Sequence, residues 1–156
     1  MKLTEGDLAP DFEALDQDGR PLRLSDFRGR YVLLYFYPRD GSSGCTRQAL
    51  NLRQHYAELE RRGIVILGVS PDDVESHRRF ARQHELPFRL LADPGGQIAR
   101  AYGVWGERQL YGRRFEGVRR TTFLIDPEGR IAHIWRTVRT DRHAEQILQV
   151  LEREKA

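Results

Sequence analysis

The sequence is poor in sulfur: 156 residues hold one cysteine, Cys45, and one methionine. A single cysteine excludes an intramolecular disulfide framework and a CxxC redox pair. It fits a reducing cytosol, so a cytoplasmic protein is expected. Long apolar runs are missing; none approaches the ~18 residues of a membrane span. The opening, MKLTEGDLAPDF, lacks the apolar core of a secretory signal, so none is expected. Lysine is nearly absent, with only Lys2 and Lys155, and arginine carries the basic charge. There is no internal repeat, low-complexity tract or linker, and the length suits one domain over 1–156 with a full hydrophobic core.

Several chemistries are excluded by the same kind of absence. GSSGCT resembles a phosphate loop, but the GxxxxGK[ST] spacing and its lysine are missing. The five histidines, at 55, 77, 84, 133 and 143, have no metal-ligand spacing, so no metal is expected; His77 and His84 read as helix-surface or packing residues. No GxSxG elbow supports Ser42 as a hydrolase nucleophile. The formal net charge is +3 and the pI about 9.3, yet arginine alternates with Asp and Glu along most of the chain. That is a mixed solvated surface rather than a nucleic-acid footprint. Trp105, Tyr111 and Phe115 interleave with Arg108, Arg113 and Arg114, a pattern that RNA contacts also use. A flap packing its aromatics onto the domain is the simpler account.

What is present is an alternation of strands and helices. The turn QDGR at 17–20 predicts an N-terminal β-hairpin, followed by a short turn, LSDFRGR. YVLLYFY, 31–37, is a continuous apolar run, as in a strand buried on both faces. From Cys45 the period becomes helical: Cys45, Ala49, Leu52, Tyr56 and Leu59 share one face, and Gly63 ends the helix. IVILGVS, 64–70, is a second buried strand. Ser70-Pro71-Asp72-Asp73 predicts a capped helix start, the helix running to about Glu85. A strand FRLLAD, a short helix within PGGQIARAYGV, a long loop or flap over 105–120, a hairpin TTFLID/RIAHIWRTV around PEGR, and a helix over 141–153 complete the chain. The expected fold is α/β: a thioredoxin-like central mixed β-sheet flanked by helices on both faces.

The lone thiol stands where the strand 31–37 gives way, through the loop DGSSG, to a helix. An ordinary thiol of pKa ~8.5 is only about 3% thiolate at neutral pH, and the thiolate is the nucleophile. A helix start favours the anion through unpaired N–H groups and the dipole. Gly44 leaves the N–H groups of Gly44 and Cys45 open to an anion or oxygen, and Ser42 offers a hydroxyl beside them. Ligand sites in open α/β sheets lie at such strand ends. The apolar stripe that Cys45 begins is equally compatible with an inert buried thiol.

The segments LAPDFEALDQDG, LLYFYPRDGSSGCT, VILGVSPDDVESHRRFARQHELPFRLLAD, YGVWGE and GVRRTTFLIDPEGRI together resemble the peroxiredoxins, of the bacterioferritin comigratory protein (PrxQ) type, over nearly the whole chain. The resemblance implies that Cys45 is the peroxidatic cysteine and that Pro38 shields it. It puts Ser42 where the family has threonine. It makes Arg120 the arginine that holds thiolate and peroxide oxygen, with Arg119 the alternative register, and Gln48 a residue that orients the arginine. Two departures stand out. Ser43 replaces the proline before Gly44. Leu50 occupies the position, five residues on, where many relatives carry a resolving cysteine. The resemblance therefore implies a one-cysteine thiol peroxidase acting on hydrogen peroxide and organic hydroperoxides without cofactor. An external thiol such as thioredoxin, glutaredoxin or a small thiol would regenerate it. A monomer or weak dimer, with no nucleic-acid or membrane partner, goes with this. The rivals are a thiol–disulfide oxidoreductase, which lacks its CxxC, and a peroxide sensor or redox-regulated holdase without efficient turnover.

Overall fold

The computed structural model describes residues 2–154. The turn QDGR closes the expected N-terminal hairpin, β1 (Glu13–Leu15) against β2 (Pro21–Arg23), with Gly19 at φ +75°. A side chain there would strain the backbone, whereas glycine adopts it freely. The chain continues through a 3-10 turn at Leu24–Phe27, β3 (Tyr31–Phe36), α1 (Ser43–Gln54), α2 (Tyr56–Arg61), β4 (Ile64–Ser70), α3 (Val74–Gln83) and β5 (Arg89–Ala92). It then forms α4 (Gln97–Ala101), β6 (Trp105–Leu110), β7 (Arg113–Val118), β8 (Thr121–Ile125), β9 (Ile131–Trp135) and α5 (His143–Glu154).

Seven strands make the central sheet, in the order β2-β1-β5-β4-β3-β8-β9. β3, β4 and β5 run parallel, β8 pairs antiparallel with β3, and β9 pairs antiparallel with β8 at the sheet edge. β3 is thus paired on both sides. Its continuous apolar run follows from having a core on each face. Leu33, Tyr35 and Tyr37 enter the core shared with residues of α1, α2, α3 and α5. Val32, Leu34 and Phe36 enter the opposite core, with residues of α4 and the N-terminal hairpin. The thioredoxin-like mixed sheet flanked by helices is as expected.

Three local expectations are corrected. The helix read from Cys45 to Gly63 starts earlier, at Ser43, and breaks at His55 (φ −105°, ψ 12°). At this break the Asn51 carbonyl is shared by His55 Nδ1 at 3.1 Å and His55 N at 3.3 Å. The cap of α3 is Asp73, whose Oδ1 accepts from Ser76 N at 2.8 Å, not Ser70. Ser70 ends β4, and its hydroxyl donates to Asp72 Oδ2 at 2.6 Å, which leaves Asp73 for the helix. The flap over 105–120 is a regular hairpin of β6 and β7, forming its own two-stranded sheet. Its two-residue turn is Tyr111-Gly112, with φ of +53° and +76°. Tyrosine at a left-handed turn position, amid arginines that hide any alternation, gave no hairpin signal.

Gly68 of β4 faces Tyr35 of β3 in register. A Cβ at Gly68 would lie 2.8 Å from Tyr35 Cζ and 2.9 Å from its oxygen. Tyr35 is 1% exposed and cannot swing away. Gly68→Ala should therefore lower stability by about 1–3 kcal/mol through overpacking. Urea midpoints would measure this, and the cost should shrink in a Tyr35→Leu background.

Candidate active site

Cys45 sits in the first turn of α1, beyond the carboxyl end of β3, and is 1% exposed. It is a free thiol. Ser42 is the N-cap residue by backbone (φ −68°, ψ 152°), but its side chain does not cap the helix. Its hydroxyl donates instead to the Arg39 carbonyl at 3.1 Å. The first-turn N–H groups of Ser43, Gly44 and Cys45 thus have no acceptor among the described residues, while Thr46 N already bonds Ser42 O at 2.9 Å. A short row of unpaired donors beside the sulfur is a place for negative charge.

Arg120 reaches this turn from the β7–β8 junction. Its Nη2 lies 3.4 Å from Cys45 Sγ, and its Nη1 donates to Gln48 Oε1 at 2.6 Å. The guanidinium passes so close over Gly44 that a Cβ there would lie 3.2 Å from Nη2. A side chain at position 44 would press the arginine outward by a few tenths of an ångström. Gln48 is fully buried one helical turn after Cys45, and its Nε2 has no partner. Arg119 points elsewhere, its Nη2 donating to Glu107 O at 3.4 Å. Of the two arginines weighed from sequence, the structure brings Arg120 to the thiol. Leu50 lies half-buried on the unbroken α1, with no second thiol anywhere in the sequence.

Behind the loop 38–44 lies a polar cluster that the sequence reading did not assemble. The Asp40 carboxylate accepts from Tyr37 OH at 2.6 Å and Ser76 Oγ at 2.8 Å. His77 Nδ1 is 2.7 Å from Asp40 Oδ2, and His77 Nε2 is 3.0 Å from the Leu91 carbonyl. A carbonyl only accepts, so Nε2 carries a proton, and a further proton lies between Nδ1 and Asp40. Asp40 N donates to Asp72 Oδ2 at 2.8 Å. His77, expected at a surface or in packing, is fully buried against the Asp40 carboxylate. Asp40, Asp72 and His77 place ligand-type atoms within 4.8 Å of one another, but their own hydrogen bonds hold them together. The cluster fastens the loop before Cys45 to β4 and α3. Tyr37 stacks on Tyr35, with ring centroids 5.3 Å apart. Tyr35 OH is buried without a partner. Burial, and then negative charge at Cys45, hold its phenol well above the ordinary range.

An opening of about 330 Å³ leads to this site. Pro38, Arg39, Ser42 and Arg120 line it from the domain, and Trp105, Arg108 and Phe115 from the β6–β7 hairpin. Pro38, Ser42 and Arg120 therefore meet at one mouth, with Cys45 and Gln48 behind it. Of the described helices, none is long and apolar enough to cross a membrane.

His143, at the start of α5, stands behind Arg120. Its Nδ1 pairs with Gln146 Oε1 at 3.0 Å, and its Nε2 with Thr122 Oγ1 at 2.8 Å. An amide oxygen only accepts, so Nδ1 carries the proton and Nε2 takes the threonine's. Burial lowers the His143 pKa to about 4. The Arg120 charge pushes the same way, and the Gln146 bond opposes it. Spacing alone could not single out this histidine, because its partners are distant in sequence.

The AhpC/TSA family model matches residues 6–134. The chain is 41% identical over 151 residues to peroxiredoxin Bcp of Bacillus subtilis (97% of this chain, 96% of the relative). It is 42% identical over 149 residues to peroxiredoxin Bcp of Escherichia coli K12 (96% of each). Among solved structures, a cysteine-to-serine variant of PrxQ from Xylella fastidiosa superposes with a TM-score of 0.92 at 29% identity, covering 100% of this chain and 99% of the other. The Xanthomonas campestris bacterioferritin comigratory protein, studied for alkyl peroxide reduction in a trapped intermediate/ligand complex, gives 0.86 at 32% identity, covering 93% and 92%.

His143 makes stability fall with acid. The unfolded chain binds its proton near pH 6.5, but the folded chain only near 4, so stability is complete above 6.5 and is lost as pH falls between these values. The loss is on the order of 3 kcal/mol at about 1.36 kcal/mol per pH unit. Urea midpoints at pH 7 and 4.5 should drop further for wild type than for His143→Gln. Equal slopes would contradict this account.

Proposed function

This chain belongs to the AhpC/TSA family of peroxiredoxins, and on that footing we propose that Cys45 is its peroxidatic nucleophile and Arg120 the residue that activates it. The protein is a thiol-dependent peroxidase. The observation that carries the assignment of residues is the Arg120 guanidinium, 3.4 Å from Cys45 Sγ and anchored by Gln48 at 2.6 Å.

The Cys45 thiolate attacks the nearer oxygen of a hydroperoxide in line with the O–O bond. An S–O bond forms as the O–O bond breaks, and the departing RO⁻ takes a proton to leave as water or alcohol. Negative charge passes from sulfur to the leaving oxygen. Arg120 and the open N–H groups of the first turn of α1 are already aimed at that charge, which is the preorganised stabilisation of an oxyanion site. Pro38 screens the thiol at the mouth. Ser42 contributes its oxygen lone pairs there, because its proton is engaged by Arg39 O. Cys45 becomes a sulfenic acid. With no second cysteine in the chain, an external thiol attacks that sulfur, releasing water, and a second thiol displaces Cys45 from the mixed disulfide. The opening beside Arg120 admits hydrogen peroxide and hydroperoxides with apolar substituents, which rest on Trp105 and Phe115.

Cys45→Ser should abolish peroxide turnover while leaving the fold intact by circular dichroism; turnover persisting in that variant would sink the assignment. Arg120→Met should slow peroxide consumption, followed by stopped flow, by roughly 30- to 1,000-fold, the worth of a charge-assisted contact in a shielded site. Arg119→Met, whose guanidinium rests on the hairpin backbone, should stay within about threefold of wild type, as surface substitutions do. The reverse ranking would mean that the two arginines exchange places in the working enzyme.

A further inference from the structure

The opening beside Cys45 carries more positive charge than a neutral peroxide uses. Arg39 and Arg108 line it, and neither joins an ion pair among the described residues. Arg108 lies over the Phe115 ring at 5.6 Å, which holds its guanidinium at the rim. Glu116 is the one carboxylate among the lining residues. The inner end is formed by Ser42 and by Arg120, which touches Cys45 Sγ. Two guanidinium groups without carboxylate partners, one of them over the Phe115 ring, complement a small molecule with several carboxylates.

The reductive step asks for such a molecule. Oxidised Cys45 must be met by a sulfur from outside the chain, yet the thiol is 1% exposed. A cysteine on the surface of another protein reaches it only if the first turn of α1 opens. The Asp40–His77 cluster and Arg120 hold that turn from both sides. A small thiol can approach through the mouth that Ser42 and Arg120 line, behind which Cys45 lies. The cavity of about 330 Å³ falls in the size range of small-molecule sites.

We propose that this opening is a binding site for a low-molecular-weight thiol bearing carboxylates, held by Arg39 and Arg108, and that this thiol reduces oxidised Cys45. The proposal rests on the peroxidase assignment of Cys45. In the first step the bound thiolate attacks the sulfenic sulfur. An S–S bond forms, the S–O bond breaks, and the oxygen leaves as water after taking up protons. In the second step another thiolate attacks the small thiol's sulfur. It forms the oxidised dimer of the reductant and releases Cys45 as thiolate, so two thiols are oxidised for each peroxide reduced.

The test starts from protein oxidised with one equivalent of hydrogen peroxide and checked for sulfenic acid at Cys45 by mass. Absence of sulfenic acid would remove the peroxidase assignment, and this proposal with it. The oxidised protein is then mixed with glutathione (two carboxylates, one ammonium), 2-mercaptoethanol (neutral), cysteamine (cationic) or reduced thioredoxin. Mixed disulfide and recovered thiol are followed by quench and mass analysis, each rate constant corrected for thiolate fraction. Glutathione should exceed 2-mercaptoethanol and cysteamine by about tenfold, and the advantage should shrink as salt rises. In Arg39→Met/Arg108→Met the order should flatten, and in Arg39→Glu/Arg108→Glu it should tilt toward cysteamine. The readout is the ratio of reductive to oxidative rate constants in each variant, so loss of fold is told apart from loss of the site. Equal rate constants for the three small thiols in wild type would overturn the proposal. So would thioredoxin outpacing glutathione with no dependence on either arginine.

Discussion

Arg120 spans a gap that the backbone leaves open. One nitrogen faces the sulfur of Cys45, and another is bound by Gln48 one helical turn later. A guanidinium is a planar fork that holds two partners at once. It joins the helix carrying the thiol to the β7–β8 junction on the far side of the cleft. The cation lies close over Gly44, so a larger residue there would shift it. The thiol, the glycine and the glutamine thus all lie against one guanidinium.

That contact would lose its aim if the loop before α1 wandered. The Asp40–His77 pair, with Tyr37, Ser76 and Asp72, fixes the loop from behind. A buried pair of this kind is weak evidence for stability, because desolvation offsets much of its attraction. Its effect here is geometric: it fixes where the helix starts. His143 serves the other side in a neutral form. A second cation there would push directly on Arg120.

The frame was legible in the sequence because it depends on local pattern. Unbroken apolar runs marked β3 and β4, and the change of period after Cys45 marked α1. The site was legible in part: Cys45 stood out by being alone, and Arg120, Pro38, Ser42 and Gln48 came from the resemblance to a family. What stayed hidden depends on pairs distant in sequence. Asp40 and His77 are 37 positions apart, and Thr122 and His143 are 21 apart, so no spacing rule joins them. The β6–β7 hairpin was missed for a local reason, a left-handed tyrosine where such turns favour asparagine or glycine. The helix break at His55 was missed because the apolar period runs across it from Leu52 to Tyr56 and Leu59.

The hairpin exchanges strand hydrogen bonds only within itself, apart from the seven-stranded sheet. Its outer residues, among them Arg108, Phe115 and Glu116, take no part in either hydrophobic core. Substitutions or length changes there leave the sheet that fixes the reacting sulfur nearly untouched. Two tasks are thus separated in this chain. The sheet and α1 hold the reacting sulfur, while the hairpin shapes only the mouth through which molecules reach it. A designer wishing to change what the protein accepts would graft at Trp105 and Val118 and leave the rest alone.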